Sequence, residues 1–206
     1  MPLRRELDVK TLLLVSVTVL ALVASASAAN GQTTGAGYAD ALSPSLASVA
    51  HVMHATIRKN LADAAEIMPA DEYDFRPTPQ VRTFAQLVGH VINANLFFCS
   101  QASGEPLPPG PANYEQLSDK KALVKALDAA FSLCDRAHAG TTDANYSAPI
   151  AMAGGVGMGP ANTVRGSILM FNVAHNNEHY GNIVIYLRLK GHVPPATADA
   201  ERGKKK

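Results

Sequence analysis

Two histidines in the C-terminal part of the chain have a spacing that allows both to bind one metal ion. His175 and His179 occur in the segment AHNNEHYGNIVIYLRLKG, four residues apart. On a helix, side chains with this spacing share one face and have Cβ atoms about 5–6 Å apart, so two imidazoles can converge on a small ion. Burying an imidazole without a partner costs roughly 1–3 kcal/mol, and two of them on an apolar face therefore indicate a bound ligand. The pair predicts a metal site.

A third donor is needed, because two imidazoles alone bind a metal weakly. His90 is the first candidate, since it follows inward-facing Leu87 on a second predicted helix; His54 is the second candidate. Three imidazoles leave a coordination position for water, which is typical of catalytic rather than structural zinc sites. The remaining histidines are expected at the surface or at helix ends: His51, His138 and His192.

Acidic and amide side chains near these histidines have two interpretations each. Glu178 lies between the two histidines, but HNNEH is not the HExxH motif, and its side chain points about 100° away from that of His179 around the helix. It either accepts a hydrogen bond from a ligating histidine or is solvated. Four amides either line a pocket or satisfy contacts between helices: Asn93, Asn172, Asn176 and Asn182. The sequence assigns no catalytic residue.

Four amphipathic helices are predicted to position these residues. The first predicted helix begins at the cap Ser43–Pro44 and ends before Pro69, and the second begins at the capping box Thr83–Gln86. The third covers Tyr114 to His138, and the fourth runs from a cap at Asn162 or Thr163 to Lys190. Apolar and polar residues nowhere alternate for long, so no strands are predicted. The pattern indicates an all-α fold, a four-helix bundle with long loops after helices two and three, the second of which could lie over a cavity mouth.

The N-terminal residues predict export. Arg4, Arg5 and Lys10 precede the apolar run TLLLVSVTVLALVA, and small residues follow it, as in a secretory signal peptide over residues 1–28. The run is shorter than the roughly 20 residues of a membrane span, and the chain would contact a membrane only if this segment stayed uncleaved. Residues 29–43 predict a flexible leader, 44–195 the bundle and 196–206 a disordered basic tail. We expect a periplasmic or extracellular protein.

The charge balance argues against a nucleic-acid partner. The chain has 18 Lys plus Arg and 17 Asp plus Glu, and residues 1–28 contain three of the bases and two of the acids, so 15 of each remain. Binding to phosphates needs a basic face, and no cluster of bases interrupts the predicted bundle. The partners that we expect are a small-molecule substrate and, as an open alternative, a second copy of the chain in a homodimer.

Two segments, FRPTPQVRTFAQLVGHV and AHNNEHYGNIVIYLRLKGHVPP, resemble sequences of the DinB-like family, and the resemblance extends from about Ser45 to Pro195. It implies a four-helix bundle with up-down-down-up connections. It also implies a divalent metal bound by one histidine of the second helix and two of the fourth, which are His90, His175 and His179 here. Some members of this family are zinc-dependent thiol transferases or thiol-dependent isomerases, which implies a transferase or hydrolase activity; a non-catalytic metal-binding module is the alternative.

Two further expectations follow from the resemblance. The sequence does not choose the ion: zinc is expected first, and nickel and iron are alternatives. If helices two and three run parallel, Cys99 and Cys134 lie at the same end of the bundle and could form a disulfide. The other interpretation is that both cysteines are small buried apolar residues, and the sequence leaves the two open.

Overall fold

The computed structural model describes residues 45–154 and 159–204, and most of the regular structure in these ranges is helical. The elements in chain order are α1 (Leu46–Ile67), α2 (Phe84–Ser103), α3 (Lys120–Ala139), β1 (Pro149–Met152), β2 (Ala161–Val164), α4 (Arg165–Leu189) and α5 (Pro195–Gly203). Two 3-10 turns, Ala70–Glu72 and Tyr114–Gln116, flank α2 along the chain. The predominantly helical class predicted from the sequence is confirmed. The predicted signal peptide and leader, residues 1–43, lie outside the described residues.

Local hydrogen bonds explain where the helices begin and end. The predicted capping box at α2 is present: the Thr83 hydroxyl accepts from the Gln86 amide, and the Gln86 side chain accepts from the Thr83 amide. Gly104, at φ 76°, ends the same helix in the left-handed conformation. The third helix begins later than predicted, because Asp119 caps α3 by accepting from the Ala122 amide at 2.7 Å.

A small antiparallel sheet replaces the start predicted for the fourth helix. Pro149 pairs with Val164, and Met152 pairs with Ala161. The prediction of no strands is therefore wrong here: residues 161–164 are extended because their backbone groups bond to β1, and α4 begins only at Arg165. The Ala153 amide donates to the side chain of Gln101, which fastens the sheet to the end of α2.

The four long helices bury one core. α1 packs against α3 and α4, and α2 packs against the same two helices. The largest buried side chains include Phe84, Phe98, Phe131, Leu123 and Leu169. None of the helices in the described ranges is both long and apolar enough to span a membrane.

Cys99 of α2 and Cys134 of α3 form a disulfide, with Cα atoms 5.0 Å apart and a sequence separation of 35. This observation decides between the two interpretations left open by the sequence. The cross-link joins α2 to α3 inside the core, where both residues are fully buried.

Residues 196–203, part of the segment predicted as a disordered tail over 196–206, are helical, and residues 205–206 lie outside the described residues. Pro195 is the first residue of α5, where its fixed φ favours the helical conformation and its missing N–H is not needed. Asp199 then pairs with Lys59 of α1 at 2.9 Å, and the Ala196 amide donates to the hydroxyl of Tyr180 at 3.0 Å. These contacts hold α5 against α1 and α4.

Candidate metal site

The three predicted ligands lie together between α2 and α4. One ring nitrogen from each of His90, His175 and His179 can be chosen so that all three atoms lie within 4.8 Å of one another. The Nε2 atoms of His175 and His179 are 3.1 Å apart. Two nitrogens bound to one tetrahedral zinc ion are about 3.3 Å apart, given Zn–N bonds of 2.0–2.1 Å. The three rings therefore have a spacing that suits a shared cation.

The protonation state of the α4 histidines also fits a bound cation. The Nδ1 atoms of His175 and His179 are buried and have no hydrogen-bond partner in the described part of the chain. Burial, followed by the charges of neighbouring histidines, lowers the pKa of each to about 4. Both imidazoles are therefore neutral at pH 7, which is the protonation state that a metal requires of histidine.

A carboxylate orients the third ring. Nδ1 of His90 donates to Oε1 of Glu115 at 2.8 Å, so in the neutral imidazole Nε2 is the nitrogen whose lone pair can bind a metal. Oε2 of the same carboxylate accepts from Nε of Arg82, also at 2.8 Å. Burial alone would raise the pKa of Glu115, but the hydrogen bonds from Arg82 and His90 lower it, so the carboxylate is ionised. Histidine ligands in metalloproteins commonly have a partner of this kind.

Gly89 allows Glu115 to reach His90. A Cβ atom on Gly89 would lie 2.7 Å from the backbone nitrogen of Glu115, closer than non-bonded atoms approach. The missing side chain thus lets the turn Tyr114–Gln116 lie directly on α2. One helical turn further along, Oδ1 of Asn93 accepts from the Tyr114 amide at 3.0 Å and fixes the same turn. The amide of Asn93 therefore holds the polypeptide, and it also lines the cavity formed with the proline-rich segment after α2.

Three buried amides form a layer next to the histidines. Oδ1 of Asn95 on α2 accepts from both Asn172 and Asn176 on α4, at 2.9 Å each. Nδ2 of Asn95 donates to Oδ1 of Asn176 at 3.2 Å and to the Val91 carbonyl at 2.9 Å. Asn172 and Asn176 thus satisfy contacts between helices, which was one of the two sequence interpretations.

A cavity of about 640 Å³ opens beside His179. Its walls come from the segment before α2 and from the second half of α4, and Asn182 is the one predicted amide that lines it. The loop before the fourth helix was expected over such a cavity. Ala151, a described residue of this loop, lines a different cavity together with the proline-rich segment after α2. The cavity beside His179 is lined instead by residues 77–82.

The other histidines are not part of the three-histidine cluster. His54, the alternative third donor, bonds through Nε2 to Asp135 at 2.8 Å and stacks on His138, with ring centroids 4.2 Å apart. His138 lies at the end of α3, one of the two positions expected for it, but its ring is buried between α1 and α3 rather than at the surface. His51 is exposed as expected, and His192 is half-buried and bonds to Glu72 at 2.7 Å.

Sequence reasoning missed two residues of the site. Glu178 was considered as the carboxylate partner of a histidine, yet its side chain is exposed and makes no hydrogen bond in the described residues. The partner is Glu115, which no local pattern linked to His90 across 25 residues. Gly89 did carry a signal: an isolated glycine inside a helix costs about 1 kcal/mol relative to alanine and often marks a close approach.

These features define a helical protein with a preformed three-histidine cluster beside an open cavity. The sequence model of the DinB superfamily matches residues 53–183. The chain therefore belongs to the DinB superfamily, as its two motif segments predicted.

Solved structures share the fold at low sequence identity. A DinB-like protein from Bacillus cereus ATCC 10987 superimposes with a TM-score of 0.56 and 14% identity, over 68% of this chain and 89% of that one. A conserved protein from Enterococcus faecalis gives 0.51 and 14%, over 68% and 94%. The mycothiol-dependent maleylpyruvate isomerase gives 0.53 and 14%, over 66% of this chain and 60% of the isomerase. No curated protein matches the chain.

Proposed function

We propose that this protein is an exported member of the DinB superfamily that binds a divalent metal ion, zinc first, through His90, His175 and His179. The observation that carries the proposal is the approach of three ring nitrogens to within 4.8 Å of one another, from two helices that meet in the core. Nitrogen donors suit zinc, nickel and iron alike, so the ion in the cell also depends on supply.

A metal in such a site, with a coordination position left open, lowers the pKa of a bound water or thiol toward 7 and so supplies a nucleophile at neutral pH. The chain's own residues then have separate tasks. Glu115 keeps the proton of His90 on Nδ1, and the cavity beside His179 admits a small molecule. Thiol transfer and hydrolysis are the reactions proposed. The likeness in fold to an enzyme described as mycothiol-dependent favours a thiol among the co-substrates to be tested.

The proposed connection of the four helices is up-down-down-up. Two contacts support opposite directions for α2 and α4: Asn95 meets Asn176, and Phe98 further along α2 meets Phe171 earlier on α4. The pairs Cys99–Cys134 and Glu105–Arg136 support a common direction for α2 and α3. α1 and α3 contact each other through His54–Asp135 and, at the opposite end, Glu66–Lys120, which supports opposite directions.

Export is part of the proposal. The first 28 residues have the composition of a signal peptide. The disulfide between Cys99 and Cys134 is the second support, because disulfides persist in oxidising compartments and are rare where thiols are kept reduced. The location proposed is the periplasm or the cell exterior.

Metal analysis of the purified protein tests the proposal directly. Protein purified from the source cells without chelator should contain about one metal ion per chain, and apoprotein should take up one equivalent of zinc. A His175→Ala variant that stays folded should lose this uptake. If the wild-type protein takes up no zinc, nickel or iron, the proposal is wrong. If metal is taken up, the metal-loaded protein is assayed with low-molecular-weight thiols and activated esters.

A non-catalytic metal-binding module is the second candidate. It is favoured by one observation: none of the residues that line the cavity is acidic, so no carboxylate is placed there to act as a general base. The two candidates differ in the effect of the metal. If removal of zinc lowers the free energy of unfolding and no assay detects turnover, the structural role is supported. A folded, stable apoprotein whose activity returns with zinc supports catalysis.

A further inference from the structure

The cavity beside His179 has an unusual combination of walls. Among the described residues that line it, none is acidic. Val81 and Ile185 are apolar, and Gln80, Arg82, His179 and Asn182 are polar. Its volume of about 640 Å³ lies within the 300–1,000 Å³ of typical small-molecule sites. The walls therefore select by charge as well as by size.

With a metal bound, the charge of the site would be positive. Among the described lining residues Arg82 is the one that is permanently charged, and its side chain is 44% exposed. Nε and Nη2 of Arg82 donate to Glu115, at 2.8 and 3.5 Å, whereas Nη1 makes no hydrogen bond within the described residues. A divalent ion on the three histidines would add two positive charges, against which the site holds one carboxylate, Glu115, at hydrogen-bond distance. An anion is attracted to this arrangement, and a cation is repelled.

Part of the cavity lining is apolar and open to solvent. Val81 is 42% exposed and Ile185 is 54% exposed, although both are large aliphatic residues. The side-chain amides of Gln80 and Asn182, which also line the cavity, make no hydrogen bond in the described ranges. A ligand that covers the aliphatic pair removes apolar surface from water, and the free amides can bond to its polar end.

We infer that this cavity binds a small carboxylic acid with an aliphatic or aromatic body: Arg82 attracts the carboxylate, and the body lies on Val81 and Ile185. The inference rests on the proposed function, because the metal provides part of the positive charge. It names a ligand class, small organic anions with one apolar end, that the three-histidine cluster alone does not specify.

Calorimetric titration of the zinc-loaded full chain tests this ligand class. The probes are hexanoate, hexan-1-ol and hexylammonium, which share a body and differ in charge. Hexanoate should bind at least about 10-fold more tightly than hexan-1-ol, as expected for a charge-assisted hydrogen bond. Hexylammonium should not bind. Equal binding of hexanoate and hexylammonium would overturn the inference.

Two arginine variants provide the matched comparison. Arg82 and Arg136 each pair with a glutamate at the surface, at 2.8 Å, but only Arg82 lines the cavity. Arg82→Gln should weaken hexanoate about 10-fold and leave hexan-1-ol unchanged, while Arg136→Gln should change neither. If Arg82→Gln leaves hexanoate binding intact, the inference is wrong.

The zinc content of every sample distinguishes failure of the proposed function from failure of the proposed ligand class. A wild-type sample that retains no zinc contradicts the proposed function. A sample that holds one equivalent of zinc yet binds no hexanoate contradicts the ligand class alone. Circular dichroism of the Arg82→Gln variant shows whether its fold is intact. We expect an intact fold, because the Tyr186 hydroxyl donates to the backbone carbonyl of residue 82 at 2.6 Å, and the substitution leaves this bond in place.

Discussion

Glu115 accepts a hydrogen bond from Nδ1 of His90 at 2.8 Å, although a proline-rich loop separates the two residues in sequence. The loop returns to α2 because Gly89, the residue before the histidine, has no side chain to keep it away. The contact fixes which nitrogen of His90 is left for a metal. A long loop that looked like a simple connection is thus part of the candidate site.

Loss of the Glu115 carboxylate should weaken metal binding. Replacing Glu115 by Ala leaves Nδ1 of His90 without its acceptor, and removal of such a partner typically costs 10–100-fold in metal affinity. Glu115→Gln, which retains an acceptor oxygen, should have a smaller effect. Zinc affinity is measured by competition with a chromophoric chelator. The control is Glu105→Ala, which breaks a comparable ion pair with Arg136 far from the histidines and should leave affinity unchanged.

A methyl group on Gly89 should disturb the same contact through the backbone. Gly89→Ala forces the turn Tyr114–Gln116 outward, since the added Cβ would overlap its backbone, and such overpacking costs about 1–3 kcal/mol of folding free energy. Urea unfolding measures the loss, and zinc affinity should fall with it. Gly181→Ala is the control: nothing lies within 4 Å of its added Cβ, and it should stabilise α4 by up to about 1 kcal/mol. Equal effects of both substitutions would contradict this account of Gly89.

Removing a ligand should abolish tight metal binding without unfolding the chain. His175→Ala deletes one of three donors, and the loss of zinc affinity should exceed the 10–100-fold expected for an outer partner such as Glu115. Mass spectrometry of metals and the chelator competition assay measure it. His192→Ala, which removes a half-buried histidine bonded to Glu72, should retain the wild-type zinc content.

Acid should destabilise the protein through the buried pair His54 and His138. Burial, with the charges of His54 and His51, lowers the pKa of His138 to about 3, and burial lowers that of His54 despite its bond to Asp135. In the unfolded chain both titrate near 6.5. As the pH falls below 6.5, these histidines bind protons in the unfolded state but not in the folded state. The free energy of unfolding that they contribute above pH 6.5 is therefore lost toward pH 3.

The variant His138→Gln isolates this effect. Its free energy of unfolding should fall less steeply than that of the wild type between pH 6.5 and 4.5, by up to about 1.4 kcal/mol per pH unit. Urea titrations of both proteins at each pH measure the difference, in which the other titrating groups cancel. Parallel curves for the two proteins would show that His138 does not contribute. His51→Gln, an exposed neighbour of the pair, is the comparison.

Reduction of the disulfide should lower stability by roughly 3–4 kcal/mol, the chain-entropy value for a loop of 35 residues. The urea midpoint is compared with and without dithiothreitol. The double variant Cys99→Ala and Cys134→Ala should have the lower midpoint in both conditions. A wild-type midpoint that does not respond to reductant, with thiol titration showing complete reduction, would contradict the prediction.

The helices and the pair His175 and His179 could be predicted because both depend on local spacing, whereas His90 on another helix was supported by the resemblance of the motif segments. Four-residue steps and the capping box at Thr83 can be read without knowledge of the fold, and the two motif segments identified the superfamily. Contacts between distant segments could not be read in this way. The positions of Glu115 and His138 depend on how a turn and a helix pack, and the pairing of β1 with β2 overrode the helical pattern at Asn162.

The amide layer of Asn95, Asn172 and Asn176 has a consequence for how metal would be acquired. If α4 slipped along α2 by one helical turn, about 5.4 Å, Asn95 would keep only one of its two partners, Asn172 and Asn176, and each amide left unpaired costs about 1–3 kcal/mol. The layer therefore fixes the axial register of α2 and α4, the two helices that carry the imidazoles. The rings are aligned before any ion arrives, so uptake should be fast and need little rearrangement of the backbone.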